Sequence, residues 1–242
     1  MSIVMNVIVG ILNKERIDRM EKKVILKCLV GSRGYGVYDE NSDYDYRGVY
    51  VLPTRVILSV GFKYKGTHWV EDKKAGKDDT MYEIGHFIEL ALKCNPTILH
   101  TLKAPVEASN EYGEELRRLF PYFIDPKRMY DAFVGYGVNQ RKKMIENKDG
   151  RWNKYGAAYI RQLFYLSQYV NTGDYSFELE DYYAETIRQI RNGELSPGEI
   201  LDLCNDYIDS IDGQIEREGY PQSVYDPSMV NVFLLRVRKE NW

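Results

Sequence analysis

The chain has 242 residues, 44% of them hydrophobic and 29% charged, with a formal net charge of −3. That is enough for one large domain or two small ones with a full core, and the near-neutral balance excludes a uniformly basic nucleic-acid binder. Three cysteines, Cys28, Cys94 and Cys204, lie too far apart for a zinc motif or a disulfide framework, which points to a reducing compartment, the cytoplasm.

Residues 1–12 are apolar but lack the basic start of a signal peptide. They are also too short to span a bilayer. They read as a buried segment leading into a helix over 13–23, with no membrane location. Val24-Ile25-Leu26-Lys27-Cys28-Leu29-Val30 is β-branched and apolar, and predicts a buried strand that stops at Gly31. Gly31 has no side chain, so a ligand can approach the backbone closely. The Ser32 hydroxyl can donate to a phosphate oxygen. A short helix begun at Arg33 would aim its free N–H groups at the same oxygens.

A second strand is predicted over 45–52, ended by Pro53. At its head stand Asp43 and Asp45. In a strand, residues i and i+2 share a face, so both carboxylates project to one side while Tyr44 and Tyr46 point to the other. Two close carboxylates repel unless a cation offsets them. A hard divalent ion does so, and Mg²⁺ favours a few carboxylates plus substrate phosphates. Either half of the pattern alone is common in turns and on surfaces. Strand, Gly-Ser, spacer, Ser-Asp-x-Asp and strand together form a specific constellation.

Residues 55–60 are ambiguous between a short helix and a strand. A short strand is expected around His68-Trp69-Val70-Glu71, then a polar turn over 73–78. Asp79-Thr80-Met81-Tyr82-Glu83 reads as a third strand, as a helix start with Thr80 and Glu83 in a capping box, or as a strand over 78–81 feeding a helix. Apolar residues at helical spacing follow from Ile84 to Leu92. Asn95-Pro96 breaks that helix, and another short one runs to Lys103. Beyond about residue 110 the pattern is helical, over 112–120, 126–147, 154–171, 181–192, 196–218 and 228–242. Gly and Pro signals divide these segments.

Charge is unevenly spread. Residues 127–161 hold nine Lys/Arg against three Asp/Glu, a net of +6, and residues 174–220 hold three Arg against thirteen Asp/Glu, a net of −10. The basic stretch suits a triphosphate or an RNA backbone, or else is a solvated helix face. Lys154 and Arg161 lie two helical turns apart and therefore on one face. His68, His86 and His100 show no metal spacing. Tyrosine is abundant, 21 residues against 8 phenylalanines, and suits either half-buried packing or base stacking.

The run Gly31-Ser32-Arg33-Gly34-Tyr35-Gly36, then Ser42-Asp43-Tyr44-Asp45-Tyr46-Arg47-Gly48-Val49-Tyr50, resembles the nucleotide-binding and metal motif of the DNA polymerase β nucleotidyltransferase superfamily. Within it, the string is similar to a stand-alone bacterial and phage branch often associated with RNA ligases and RNA repair. Asn95-Pro96-Thr97-Ile98-Leu99 resembles the Asn-Pro-Asn-x-Leu element of that branch, and weaker similarity continues through Lys154 to Arg161. His100 stands where relatives often carry Glu.

The resemblance implies an α+β fold: a polymerase β-like core of a small mixed sheet with helices over 1–120, then an α-helical domain over 121–242. It implies transfer of a nucleoside monophosphate from an NTP such as ATP to an acceptor hydroxyl, with release of pyrophosphate. Asp43, Asp45 and a third carboxylate would hold Mg²⁺ or Mn²⁺; the candidate is Asp79, with Asp78 and Glu83 behind it. Gly31, Ser32 and Arg33 would meet the phosphates, and Lys154 and Arg161 would grip the β- and γ-phosphates. An RNA or tRNA 3′ end is the leading acceptor. A protein or small-molecule acceptor, and an idle nucleotide-binding module, are the alternatives.

Overall fold

β1, Lys23–Val30, pairs antiparallel with β2, Tyr44–Val51, in a register that sets Val30 opposite Asp45 and Cys28 opposite Arg47. The computed structural model describes residues 22–40, 42–60, 67–72 and 77–242. The segment 1–12, nearly all of the helix expected over 13–23, and residues 73–76 of the expected polar turn lie outside them. Residue 23 already belongs to β1. β3, Thr67–Asp72, runs antiparallel to β4, Lys77–Glu83, and β4 runs parallel to β2. β5, Val106–Ser109, closes the other edge against β1. The five-stranded sheet is therefore mixed, in the order β3-β4-β2-β1-β5.

One turn of helix, α1 (Gly31–Gly34), follows β1 directly. The ambiguous segment after Pro53 resolves as α2, Thr54–Ile57. β4 passes straight into α3, Ile84–Leu92. Glu83, read as a capping partner of Thr80, is itself the N-cap of α3 and accepts from the Gly85 N–H at 2.8 Å. The Asn-Pro element opens α4, Pro96–Lys103: Asn95 is the N-cap and Pro96 occupies the first turn, where its missing N–H costs nothing.

The remaining chain is helical: α5 (Glu111–Arg118), α6 (Phe120–Phe123), α7 (Pro126–Glu146), α8 (Trp152–Thr172), α9 (Asp181–Asn192), α10 (Pro197–Glu218) and α11 (Pro227–Glu240). α8 is the hub. Tyr159, Ile160, Leu163, Phe164, Tyr165 and Leu166 are all buried, so it needs neighbours on nearly every side. α7 supplies one of them by lying close at Gly137, where a Cβ would meet the Tyr159 ring at 2.5 Å. No helix among the described residues is long and apolar enough to cross a membrane.

α11 returns to the front of the chain. The Thr54 hydroxyl donates to the Arg238 carbonyl at 2.6 Å, and Arg238 pairs with buried Glu83 at 2.6 Å. Tyr112 donates to Glu240 at 2.6 Å. One buried apolar cluster thus runs from Ile25 on β1 through α8 to Val237 on α11, without a break at residue 120.

Candidate active site

The site starts from a glycine. Gly31 has φ +66°, a conformation that other residues adopt at a cost, and a Cβ there would lie 2.0 Å from Asp45 Oδ2. The β1–β2 register brings the Asp45 carboxylate over the first residue of α1. Only a glycine allows both the turn and that approach.

Asp45, Gly31 and Ser32 lie in a cleft of about 590 Å³ whose far wall is built by α7, α8 and α9. This is within the range of small-molecule sites. Six basic side chains line it, Arg47, Lys143, Arg151, Lys154, Arg161 and Arg191, against one acidic residue, Asp45, among the described residues. An excess of that size in a concave, partly desolvated space selects polyanions. Lys154 and Arg161, two turns apart on α8, face the Gly31-Ser32 turn as their spacing predicts. Arg47, Lys143, Arg151 and Arg191 were not singled out as nucleotide-binding residues. The +6 charge of 127–161 was the available signal for Lys143 and Arg151; none marked Arg191, which lies in the acidic stretch.

Three expected site residues sit elsewhere. Arg33 does not line the cleft: its Nε donates to the Ser42 carbonyl at 2.9 Å, and its guanidinium lies over the rings of Tyr44 (4.2 Å) and Tyr38 (5.0 Å). Its work here is to brace the loop that carries Asp43. Asp43 is exposed, just ahead of β2 and outside the cleft lining.

Asp79 is a correction to the expected carboxylate trio. In the parallel β2–β4 ladder it lies opposite Tyr46, and Asp78 lies opposite Asp45. Paired residues share a face, and neighbours along a strand alternate. Asp79 is therefore on the far side of the sheet, where it accepts from Lys27 Nζ at 2.8 Å, and that ammonium rests over the Tyr46 ring at 4.2 Å. Glu83 is committed to its cap and to Arg238. Among the described residues no group of three His, Cys, Asp or Glu side chains is placed to hold a metal ion. The donor chemistry still suits a hard cation: Asp45 faces the cleft, Asp43 precedes it by two residues, and Asp78 is its backbone register partner.

The floor of the cleft is half-buried. Burial lowers the pKa of Arg47, and the neighbouring Arg161 pushes the same way, against Tyr82, Tyr136 and Asp45. Burial also opposes the charge on Arg161, but Tyr35, Tyr165 and Tyr136 outweigh it and the pKa rises. The Arg161 guanidinium lies 4.1 Å over the Tyr35 ring. His100, at the cleft edge, is held neutral: burial pushes its pKa down to about 3. Its Nε2 lies 2.9 Å from the Gln162 amide oxygen and its Nδ1 3.1 Å from the Tyr175 hydroxyl. With that amide orientation Nε2 carries the proton and Nδ1 accepts. Two arginines of α9 hold the motif loop against this wall: Arg191 donates to the Val37 carbonyl at 2.7 Å and Arg188 to the Gly36 carbonyl at 3.0 Å.

Comparison with known proteins places the chain in a family. The family profile described as RlaP, RNA repair pathway DNA polymerase beta family, matches residues 9–171. That span takes in the motif loop, the Asn-Pro element, α7 and nearly all of α8. A solved structure, a nucleotidyltransferase-like protein from Exiguobacterium sibiricum 255-15, is similar at 9% identity and a TM-score of 0.32, over 96% of this chain and 79% of that one. A search of curated proteins gave no match. With the profile covering two thirds of the residues and all but the α9 side of the cleft, the chain belongs to the RNA repair pathway DNA polymerase beta family, a family of nucleotidyltransferases.

Proposed function

We propose that the chain is a metal-dependent nucleotidyltransferase that moves a nucleoside monophosphate from an NTP to the 3′ hydroxyl of an RNA. One observation carries the reading: the Asp45 carboxylate sits directly over the Gly31-Ser32 turn, in a cleft whose opposite wall presents Lys154 and Arg161. The turn offers backbone and hydroxyl donors to the triphosphate, and the two cations of α8 face its β- and γ-phosphates. The acceptor oxygen attacks the α-phosphorus, the bond from that phosphorus to the β-bridging oxygen breaks, and pyrophosphate leaves with the electron pair. Asp43 and Asp45, with Asp78 beside Asp45 in the ladder, would hold Mg²⁺ or Mn²⁺, which when bound offsets phosphate charge and acidifies the acceptor hydroxyl. Lys143 and Lys154, exposed at the cleft, would also meet the phosphates of an RNA end. The free, buried cysteines Cys28, Cys94 and Cys204 suit a reducing cytoplasm.

The test uses α-labelled ATP, CTP, GTP and UTP with Mg²⁺ or Mn²⁺, an RNA pool and cell lysate. Label is expected on RNA, and Asp45→Asn is expected to reduce transfer by roughly a hundredfold or more. Label on protein or on a small molecule instead would replace the acceptor and keep the chemistry. Binding of NTP with no transfer by the unmodified chain would mark a sensing module.

A further inference from the structure

Arg47 is a basic residue of the cleft with too few partners. It stands two residues beyond Asp45 on β2, on the same face, and lines the cleft floor. Nη1 donates to the Thr97 carbonyl at 3.2 Å, and Nε is buried with no hydrogen-bond partner. Arginine carries five N–H donors in a fixed fork, and a buried donor left unmade is costly. Arg161 presents a second guanidinium to the same cleft. Two guanidiniums lining one cleft, one of them with a buried N–H unmet, mark a place where a bound anion can supply an acceptor.

Resting on the nucleotidyl-transfer reading, we infer that Arg47 is a phosphate-binding residue that acts with Arg161 as a clamp for the β–γ diphosphate of the NTP and for the pyrophosphate that leaves. The fork of an arginine matches the oxygens of a phosphate, and two of them converge on a group with more than one phosphate in preference to a monophosphate. Thr97 sets the reach. Its carbonyl belongs to the first turn of α4, placed there by the Asn95-Pro96 cap, and it holds the Arg47 side chain against the floor. The Asn-Pro element thereby aims an arginine into the cleft.

Binding of inorganic pyrophosphate to the full chain, measured by calorimetry, tests this. Arg47→Gln is expected to weaken pyrophosphate roughly 10- to 100-fold while affinity for a nucleoside monophosphate changes less than about threefold. The melting temperature of the unliganded variant is expected to hold or rise, because a buried donor without a partner is gone. Unchanged pyrophosphate affinity in folded Arg47→Gln overturns the inference, as does a fall in melting temperature with that affinity kept. Arg47→Lys serves if the glutamine variant does not fold: it keeps the charge and loses the fork, so affinity equal to that of the unmodified chain likewise overturns the clamp. Pyrophosphate binding that depends on Arg47, in a chain that transfers no label, would sink the transfer reaction and leave the clamp standing.

Discussion

Two adjacent aspartates on β4 face opposite fates. Asp78 lies beside Asp45 in the ladder, and Asp79 faces the other way onto Lys27. Asp78→Asn is expected to abolish transfer, and Asp79→Asn to keep it while lowering stability by about 1 kcal/mol, as for a half-buried ion pair. Assaying both variants for label transfer and urea midpoint separates the roles, and the reverse pattern would restore Asp79 to the site. Gly31→Ala makes a sharper demand. The new methyl group needs the space of Asp45 Oδ2 in a backbone conformation that costs alanine about 1 kcal/mol or more. A folded variant with at least tenfold less transfer is expected. The sequence motif placed Gly31, Ser32 and Asp45 together, as the structure does, because their arrangement is local, one turn and one strand. The choice between Asp78 and Asp79 was not legible, since it depends on the register of β4 against a strand some thirty residues earlier.

Elements place the other wall. α7 and α8 follow from their apolar periodicity, and Lys154 and Arg161 follow from the period of α8. β5 was missed: it is four exposed residues, Val106–Ser109, too short for any alternation and held in place by β1. His100 illustrates a residue whose surroundings come from several elements at once. α4 carries it, α8 supplies Gln162 and Tyr165, and the segment after α8 supplies Tyr175. Its protonation is a stability term. The folded pKa lies far below the unfolded value near 6.5, so the unfolded chain binds the extra proton. Stability from this group is fully present above about pH 6.5 and falls toward pH 3, at up to ~1.4 kcal/mol per pH unit. Equilibrium unfolding of the unmodified chain and His100→Gln across pH 4 to 7 checks this. Parallel pH profiles would show that His100 is not the titrating group.

At the scale of the molecule, a chain of net charge −3 gathers six of its 33 Lys and Arg residues around one concavity. RNA association is therefore expected to weaken steeply between 50 and 200 mM salt, with a slope near −0.7 per phosphate contact on a single strand. Lys143→Ala with Arg151→Ala is expected to flatten that slope by roughly one to two units, read from binding isotherms at several salt concentrations. α11 binds the back of the chain to the front. Arg238→Ala is expected to cost about 3–5 kcal/mol, because it strands Glu83 as an unpaired buried charge. Chemical denaturation measures the loss, and a cost under 1 kcal/mol would mean that α11 is only loosely seated.

That seating has a consequence for how the molecule is made. Thr54 and Glu83, both within the first 83 residues, take partners from residues 238–241, beside the Gly85 N–H from which Glu83 also accepts. All five described strands of the sheet lie before residue 110, but the α11 contacts beneath its β4 end form only after residue 241 has cleared the ribosome. Nascent or prematurely terminated chains would display the Gly31–Asp45 motif without the ion pair that α11 sets beneath it.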